Sequence, residues 1–172
     1  MVRILFVCMG NLCRSPMAAS VFTHQAARHP LGAGVQVSSA GTSSRHQGEA
    51  ADPRAVQALA RGGYPVDARF KARTLNSALI CDSDLVLTMD QAVHLQTLRR
   101  SPPQGHARIH MLMPFAGHPV GSEIPDPYFG NQSGFEHVLK LLEGTVDTVL
   151  RRAHALRSLT DSVQPSVTRP GP

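Results

Sequence analysis

Residues 4–16 read ILFVCMGNLCRSP, so that an apolar run, a tight loop and a helix start follow one another directly. The run at residues 4–7 is typical of a strand buried on both faces of a parallel sheet. Ser15 is a favoured helix N-cap and Pro16 a favoured first helical residue, which predicts a helix beginning there. Because a helix N-terminus presents unpaired N–H groups and the positive end of its dipole, this arrangement predicts a binding loop for a phosphate-like anion.

The loop between this strand and helix carries residues suited to holding an oxyanion. Gly10 lets the backbone approach the anion, and Asn11 tolerates the left-handed conformation that a tight cradle needs. The guanidinium of Arg14 matches two oxygens of a tetrahedral oxyanion. Because a thiol loses its proton more easily at a helix N-terminus and beside arginine, Cys8 is predicted to be a nucleophilic thiolate. The alternative at this point is a small buried cysteine at a strand end, with Arg14 on a helix surface.

The rest of the chain alternates predicted strands with predicted helices. Residues 114–130 contain four prolines and three glycines and are predicted to form a long functional loop. Strands alternating with helices predict an α/β fold, with an open twisted sheet of four parallel strands, helices on both faces and the phosphate-binding loop after strand 1. The further strands are predicted at residues 35–37, 84–89 and 109–113, and the further helices at residues 53–60, 90–100 and 135–156.

The composition predicts a single globular domain with an anionic partner. The chain has 172 residues, and its 17 Lys and Arg residues outnumber its 12 Asp and Glu residues, for a net charge of +5. No run of Lys or Arg exceeds two residues, so we expect no nucleic-acid partner. From residue 158 the sequence is rich in Ser, Thr, Pro and Gly. We therefore predict a catalytic domain at residues 1–157 and a disordered C-terminal tail at residues 158–172.

The cysteine content indicates the compartment. Cys8, Cys13 and Cys81 are an odd and low number, which excludes a disulfide-stapled secreted scaffold. The apolar residues 2–7 are too short to span a membrane, and no small-residue cleavage site follows them. We therefore expect a cytoplasmic protein with reduced thiols and no membrane partner, while export without a signal peptide stays open. Cys81, at the end of an apolar helix, is predicted to be an inert core residue.

Residues 7–18 resemble the phosphate-binding signature of the low-molecular-weight protein tyrosine phosphatases of bacterial type. Over about residues 2–155 the resemblance implies hydrolysis of phosphotyrosine on proteins through a phosphocysteine intermediate, with no metal or other cofactor. The expected partners are phosphotyrosine proteins and inorganic phosphate, the latter as product and competitive ligand, and the chain is expected to be a monomer or weak homodimer. Later blocks resemble the family in the same order: SAGT at 39–42, DPRA at 52–55, KAR at 71–73, MD at 89–90 and DPYFG at 126–130.

The resemblance gives the reacting groups their roles. Cys8 is the nucleophile, and Arg14 and the backbone amides of residues 9–14 hold the phosphoryl group. Ser15 assists Cys8 as a leaving group. Asp126 lies on the long loop, where a carboxylate can protonate the leaving oxygen of a phosphate monoester, and the resemblance implies that it then activates water. Without the other groups, Asp126 would be a solvated loop residue beside two prolines.

The residues expected to contact the substrate surround these groups. Tyr128 and Phe129 flank the aromatic ring, and Met9 lines the floor or wall of the pocket. Cys13 is near Cys8 by the resemblance. It is either a resolving thiol that forms a disulfide with oxidised Cys8 or a small residue that fills the turn. The full predicted substrate-binding set is Met9, Gly10, Asn11, Leu12, Cys13, Ser15, Tyr128 and Phe129.

The sequence departs from the family pattern at two positions. The family has a histidine just before the block at 71–73 that helps to hold the loop asparagine, and Phe70 stands there instead. Asn11 must then find another partner, with Ser39 as the candidate. Arg45 replaces an aromatic residue of the pocket wall. It either favours acidic phosphopeptides by adding positive charge at the rim, or is a simple exposed arginine.

Three other functions fit the sequence less well. A thiol-dependent arsenate reductase needs further cysteines downstream, and only Cys81 is present. A protein-arginine phosphatase of this fold tends to have threonine before the second loop cysteine, whereas Leu12 suits a phenol ring better. A non-catalytic phosphotyrosine-binding module is expected to have lost Cys8, Arg14 or Asp126, and all three are present.

Overall fold

A computed structural model describes residues 1–163 of the chain, and residues 164–172 lie outside the described part. One sheet forms the centre, with all neighbouring strands parallel and the order β2-β1-β3-β4. This confirms the predicted α/β fold with four parallel strands. The strands are β1 (Val2–Cys8), β2 (Val35–Gly41), β3 (Leu85–Thr88) and β4 (Ile109–Met111).

Six α-helices and one short 3₁₀ helix connect the strands within residues 1–163. None of these helices is long and apolar enough to cross a membrane. The 3₁₀ helix spans Pro103–Arg108. The α-helices are α1 (Arg14–Ala26), α2 (Pro53–Arg61), α3 (Ser77–Cys81), α4 (Gln91–Arg100), α5 (Leu112–Phe115) and α6 (Gln132–Val163).

Both faces of β1 are buried, because successive side chains of a strand point to opposite faces. Ile4 and Phe6 face the larger core with helices α1, α2 and α6, where the rings of Phe6 and Phe22 lie 4.6 Å apart. Leu5 and Val7 face the smaller core with α3 and α4. The continuous apolar run that predicted a doubly buried strand therefore has its expected place at the centre of the sheet.

The helix starts match the capping signals in one case and depart from them in another. Asp52 caps α2 by accepting from the Arg54 N–H at 2.8 Å, with Pro53 as the first helical residue, as predicted. The prediction that Ser15 caps α1 is wrong. The helix begins at Arg14 without a side-chain cap, because the Ser15 hydroxyl points to Cys8 instead.

Two further predictions about secondary structure need correction. The fourth strand ends at Met111, two residues early, because residues 112 and 113 open the short helix α5. Helix α6 continues to Val163, six residues into the predicted tail. No proline or glycine interrupts the sequence between Gly144 and Pro165, so the helix meets no breaker there. Positions 164–172 of the predicted tail lie outside the described residues.

The burial of Cys81 is the fourth correction. Cys81 was predicted to be an inert core residue, yet it is exposed at the last position of α3. The apolar pattern around it is satisfied by Ile80, which is fully buried in the smaller core. A five-residue helix buries one narrow face, and Cys81 lies off that face.

Candidate active site

The predicted site residues meet at the carboxyl end of β1, in the loop that leads into α1. All of the predicted catalytic and substrate-binding residues except the fully buried Asn11 and Ser15 line a cavity of about 150 Å³, which we call the catalytic pocket. Parallel strands place their carboxyl ends at one edge of the sheet, so segments distant in sequence converge here. The pocket is lined by Cys8, Met9, Gly10, Leu12, Cys13, Arg14, Asp126, Tyr128 and Phe129, together with Arg45 and His46.

The thiol of Cys8 lies at the base of the pocket and is hydrogen-bonded from two sides. The N–H of Asn11 donates to Cys8 Sγ at 3.2 Å, and Ser15 Oγ lies 2.9 Å from the same sulfur. Both are donors able to stabilise a thiolate, since a hydrogen bond to the charged form of a group favours that form. The sulfur is therefore held at the N-terminus of α1, facing the space where an anion would bind.

Asn11 holds the loop in a left-handed turn. Its φ is +55°, and no other non-glycine residue in the described part of the chain has a positive φ. The side chain is fully used: Nδ2 donates to Ser15 Oγ and Ser39 Oγ, both at 2.9 Å, and Oδ1 accepts from the Arg73 N–H at 3.0 Å. Ser39 thus occupies the position expected for the partner that Phe70 cannot supply. The cost of the strained backbone is offset by three hydrogen bonds, two of them buried.

Arg14 is buried and fixed by groups from two distant segments. Its Nη1 donates to Asp90 Oδ2 at 2.6 Å and to the carbonyl oxygen of Ile124 at 2.9 Å. Its Nη2 donates to Asp126 Oδ2 at 3.2 Å. The guanidinium is 3% exposed, so its direction is set before any ligand arrives. One edge is held by the protein, and the other faces Asp126 in the catalytic pocket.

Asp90 is a site residue that the sequence reasoning missed. It was identified as the start of α4, and it does cap that helix through the Val93 N–H. Its second carboxylate oxygen holds Arg14. A signal existed, because Asp90 follows the end of a predicted buried strand. If that strand neighbours β1, its carboxyl end lies beside the phosphate-binding loop.

Arg54 fastens the loop that carries Asp126. Its guanidinium donates to the carbonyl oxygens of Tyr128 at 2.9 Å and Gly130 at 3.0 Å. It also pairs with Asp52 at 2.8 Å. The Tyr128 N–H in turn donates to Asp126 Oδ1 at 3.2 Å. These contacts tie the position of the Asp126 carboxylate to helix α2.

Replacing Arg54 with lysine is expected to lower kcat about tenfold with little change in KM, because an ammonium cannot span both carbonyl oxygens and Asp52. Initial rates on an aryl phosphate measure the effect. Arg61→Lys, on the exposed face of the same helix, serves as the matched control. Since Arg54 acts through Asp126, adding Arg54→Lys to Asp126→Ala should cost no further activity. Fully additive losses in the double variant would contradict this.

The two loop cysteines occupy different environments. Burial raises the pKa of the Cys13 thiol, and the neighbouring Asp52 carboxylate raises it further. The hydrogen bond from Arg54 holds the pKa of Asp52 below its usual range, so that carboxylate stays charged beside the thiol. Cys13 is therefore a protonated thiol at neutral pH. A resolving role for it after oxidation of Cys8 stays a prediction.

The lining of the pocket includes two aromatic rings and two nitrogen-bearing side chains. Tyr128 and Phe129 contact each other edge to face, with ring centres 5.0 Å apart. The lining also contains the exposed Arg45 and the half-buried His46, whose ring centre lies 6.4 Å from that of Tyr128. The sequence reasoning missed His46. No local signal marks it, because its place depends on how the loop after β2 folds over Gly10.

Gly41, at the end of β2, has backbone atoms of the loop directly against it. A Cβ added there would lie 2.7 Å from the Met9 carbonyl oxygen and 2.9 Å from the Asn11 nitrogen. We expect Gly41→Ala to displace the loop and to lower kcat about a hundredfold, since displacements near 1 Å have effects of that order. Kinetics and thermal melting measure the change.

The matched control for this variant is Gly144→Ala, because a Cβ in the middle of α6 meets no atom within 4 Å. It should keep full activity and should not lower the melting temperature. Wild-type kinetics in Gly41→Ala would show that the loop tolerates the added methyl group.

Comparison with known proteins places these features in a family. A family model described as low molecular weight phosphotyrosine protein phosphatase matches residues 3–161. A low molecular weight protein-tyrosine-phosphatase of Streptomyces coelicolor is 41% identical over 145 residues, covering 82% of this chain and 87% of that protein. The low molecular weight protein-tyrosine phosphatase A of Mycobacterium tuberculosis is 36% identical over 175 residues, covering 99% of this chain and 97% of that protein.

Solved structures agree with the sequence matches. A protein tyrosine phosphatase from Entamoeba histolytica superposes with a TM-score of 0.84 at 32% identity, over 91% of this chain and 99% of that one. The YwlE arginine phosphatase from Geobacillus stearothermophilus superposes with a TM-score of 0.77 at 28% identity, over 96% of this chain and 99% of that one. The same scaffold therefore occurs in a tyrosine phosphatase and in an arginine phosphatase.

Proposed function

The chain belongs to the low molecular weight phosphotyrosine protein phosphatase family, and from that premise we propose how its own residues carry out the reaction. The family consists of cysteine-dependent protein tyrosine phosphatases that use no metal, and the chain is such an enzyme. One observation supports the residue assignment above all. Cys8 Sγ, the Arg14 guanidinium and the Asp126 carboxylate face one small pocket at a helix N-terminus.

In the first step Cys8 Sγ attacks the phosphorus of a bound phosphotyrosine. The S–P bond forms as the bond from phosphorus to the phenolic oxygen breaks, and Asp126 gives its proton to that oxygen. Arg14 and the amides of residues 9–14 hold the three equatorial oxygens, where the negative charge lies. Arg14 Nη2 now contacts Asp126 and would exchange that contact for a phosphoryl oxygen, which frees the carboxylate to face the leaving group.

In the second step water replaces the tyrosine. Asp126 takes a proton from the water as its oxygen attacks phosphorus, the S–P bond breaks, and inorganic phosphate forms. Ser15 Oγ, 2.9 Å from the sulfur, stabilises the departing Cys8 thiolate by a hydrogen bond. Phosphate fits the same cradle as the substrate's phosphoryl group, so it acts as a competitive ligand.

The pocket walls suit a planar phenol ring. Leu12 and Met9 provide apolar lining, and the Tyr128 and Phe129 rings stand at the mouth. Phe129 is 94% exposed, which leaves its area available for contact with a bound protein. A guanidino phosphate would bring a planar charged group against this apolar lining, which disfavours it. The substrates are therefore phosphotyrosine proteins.

Two further properties complete the proposal. All three cysteines are free thiols, which suits a reducing cytoplasm. The chain is proposed to act as a monomer or weak homodimer.

The test compares a phosphotyrosine peptide, the matching phosphoarginine peptide and arsenate at equal concentration, each with and without a chelator. Turnover of a phosphotyrosine peptide at least about a hundredfold faster than of the matching phosphoarginine peptide, with no loss in chelator, is the expected result. The reverse preference would assign the chain to arginine phosphatases instead. Arsenate reduction with a thiol donor, or loss of activity in chelator, would overturn the proposed mechanism.

Arg45 sets the preference among phosphopeptides. Arg45→Trp restores an aromatic wall and should lower KM for a small aryl phosphate several-fold, since an aromatic contact contributes about 1 kcal/mol. KM for a peptide with acidic residues beside the phosphotyrosine should rise, because a rim charge is lost. Steady-state kinetics on both substrates measure this, with Arg69→Trp, on a remote exposed loop, as control. An unchanged KM for the aryl phosphate would show that Arg45 does not set this preference.

A further inference from the structure

A second, larger cavity lies behind the phosphate-binding loop. It has a volume of about 570 Å³ and lies between α1, β2 and the segment at residues 64–73. This volume is within the range of small-molecule binding sites. We call it the rear cavity, and its apolar lining consists of Pro16, Val37, Leu59, Pro65, Val66 and Phe70.

The rim of the rear cavity is positively charged. Lys71 and Arg73 line it, and neither forms an ion pair within residues 1–163. Asp67 is the one acidic residue of the lining, and its carboxylate forms an ion pair with Arg69 Nε at 3.5 Å. The free charge is therefore cationic, and it is complementary to an anionic group on a bound molecule.

Phe70 accounts for the apolar character of the wall. It stands where the family pattern has a histidine, and it packs half-buried against the main core. An apolar body of ring size can therefore lie against Phe70 and Leu59, while its charged end faces Lys71. A molecule with both features removes apolar surface from water and pairs its charge at the rim.

Two residues of the rear cavity contact the phosphate-binding loop directly. Ser39 Oγ accepts from Asn11 Nδ2, and the Arg73 N–H donates to Asn11 Oδ1. Arg73 Nε also donates to the Ser39 carbonyl oxygen at 2.8 Å. The left-handed turn at Asn11 thus has support from the wall of the rear cavity. An anion that draws the Arg73 guanidinium toward itself weakens this support.

We propose that the rear cavity is a second binding site, for a small organic anion with an apolar body, and that its occupant slows catalysis through Ser39, Arg73 and Asn11. The proposal that the rear cavity binds such an anion does not depend on which reaction the chain catalyses. The coupling half rests on the proposed function, because it is measured as a change in phosphatase rate.

The probe for binding is 8-anilinonaphthalene-1-sulfonate, an aromatic sulfonate whose fluorescence rises in apolar surroundings. Titrations contain saturating inorganic phosphate, which occupies the catalytic pocket. Lys71→Glu should weaken binding at least about fivefold, since it reverses the rim charge. Ala19→Phe, which places a ring in the rear cavity, should abolish binding. Lys140→Glu makes the same charge change on the exposed surface of α6 and should bind as wild type does.

Equal affinity in wild type, Lys71→Glu and Ala19→Phe would place the probe elsewhere and overturn the site. For the coupling, the probe should lower kcat for an aryl phosphate about fivefold with KM unchanged, in wild type and Lys140→Glu but not in Ala19→Phe. Inhibition that raises only KM, or binding without any change in kcat, would overturn the coupling. If the chain hydrolysed no phosphate ester at all, the proposed function would fail while the fluorescence titrations still decided the site.

Discussion

Cys8→Ser is expected to abolish turnover of aryl phosphates and phosphotyrosine peptides, with a loss of about four orders of magnitude or more. A serine hydroxyl is not ionised at neutral pH, and among residues 1–163 no base is hydrogen-bonded to the Cys8 sulfur. The neighbouring Ser15 hydroxyl and Asn11 N–H can donate to it but cannot take its proton. Initial rates measure the loss, and acid-quenched wild-type enzyme examined by mass spectrometry should carry one phosphoryl group on Cys8.

The other two cysteines provide the controls for this experiment. Cys81→Ser changes an exposed thiol far from the pocket and should leave the rate unchanged. Cys13→Ser changes a buried thiol that lines the pocket and should retain measurable turnover, since Cys13 forms no bond to phosphorus. Binding of inorganic phosphate to Cys8→Ser shows that its loop is still folded. If Cys8→Ser kept more than a small fraction of the rate, or if the trapped group lay on another residue, the phosphocysteine mechanism would be wrong.

Asp126→Ala should lower kcat by about two to four orders of magnitude while KM changes little. The variant removes the proton donor for the leaving oxygen and the base for the attacking water. The Arg14 cradle remains, because its Nη1 contacts with Asp90 and Ile124 do not involve Asp126. Substrate binding therefore persists when the chemistry is slowed. Steady-state kinetics separate the two parameters, and Asp82→Ala, at an exposed helix end, is the matched control.

Substrates with different leaving groups distinguish proton donation by Asp126 from a structural role. An activated aryl phosphate whose phenol departs readily without a proton should lose less activity in Asp126→Ala than phosphotyrosine loses. A loss of equal size for both substrates would mean that Asp126 supports the loop rather than donating a proton. A rise in KM at constant kcat would likewise reject it as the general acid.

Local chemistry made the phosphate-binding loop predictable. The apolar run before Cys8, the glycine and asparagine inside the loop and the helix after it each demand a particular backbone, and together they agree on one structure. Asn11 alone predicted a left-handed turn, and in the structure Asn11 has a φ of +55°. Ser15 is the exception within the same stretch. A capping preference was a sound local argument, but the hydroxyl has a more specific partner in the Cys8 sulfur.

The residues that escaped prediction act over long sequence distances. Asp90 holds Arg14 across 76 positions, and Arg54 holds the Tyr128 carbonyl across 74. From the sequence alone, Asp90 is accounted for as a helix cap and Arg54 as part of the DPR block. The strand order of the folded protein then brings each of them a second partner. His46 likewise acquires its place from the fold of a loop. Such contacts depend on topology, which local propensity does not encode.

The sequence positions of the Arg14 partners also determine when the site can form during synthesis of the chain. These partners lie 76, 110 and 112 residues further along the chain, so the guanidinium has all of its partners only after residue 126 has been made. During synthesis Cys8 leaves the ribosome first, without its acid and with its arginine unsupported. A nascent chain, or a product of premature termination before residue 126, carries a thiol in an incomplete cradle.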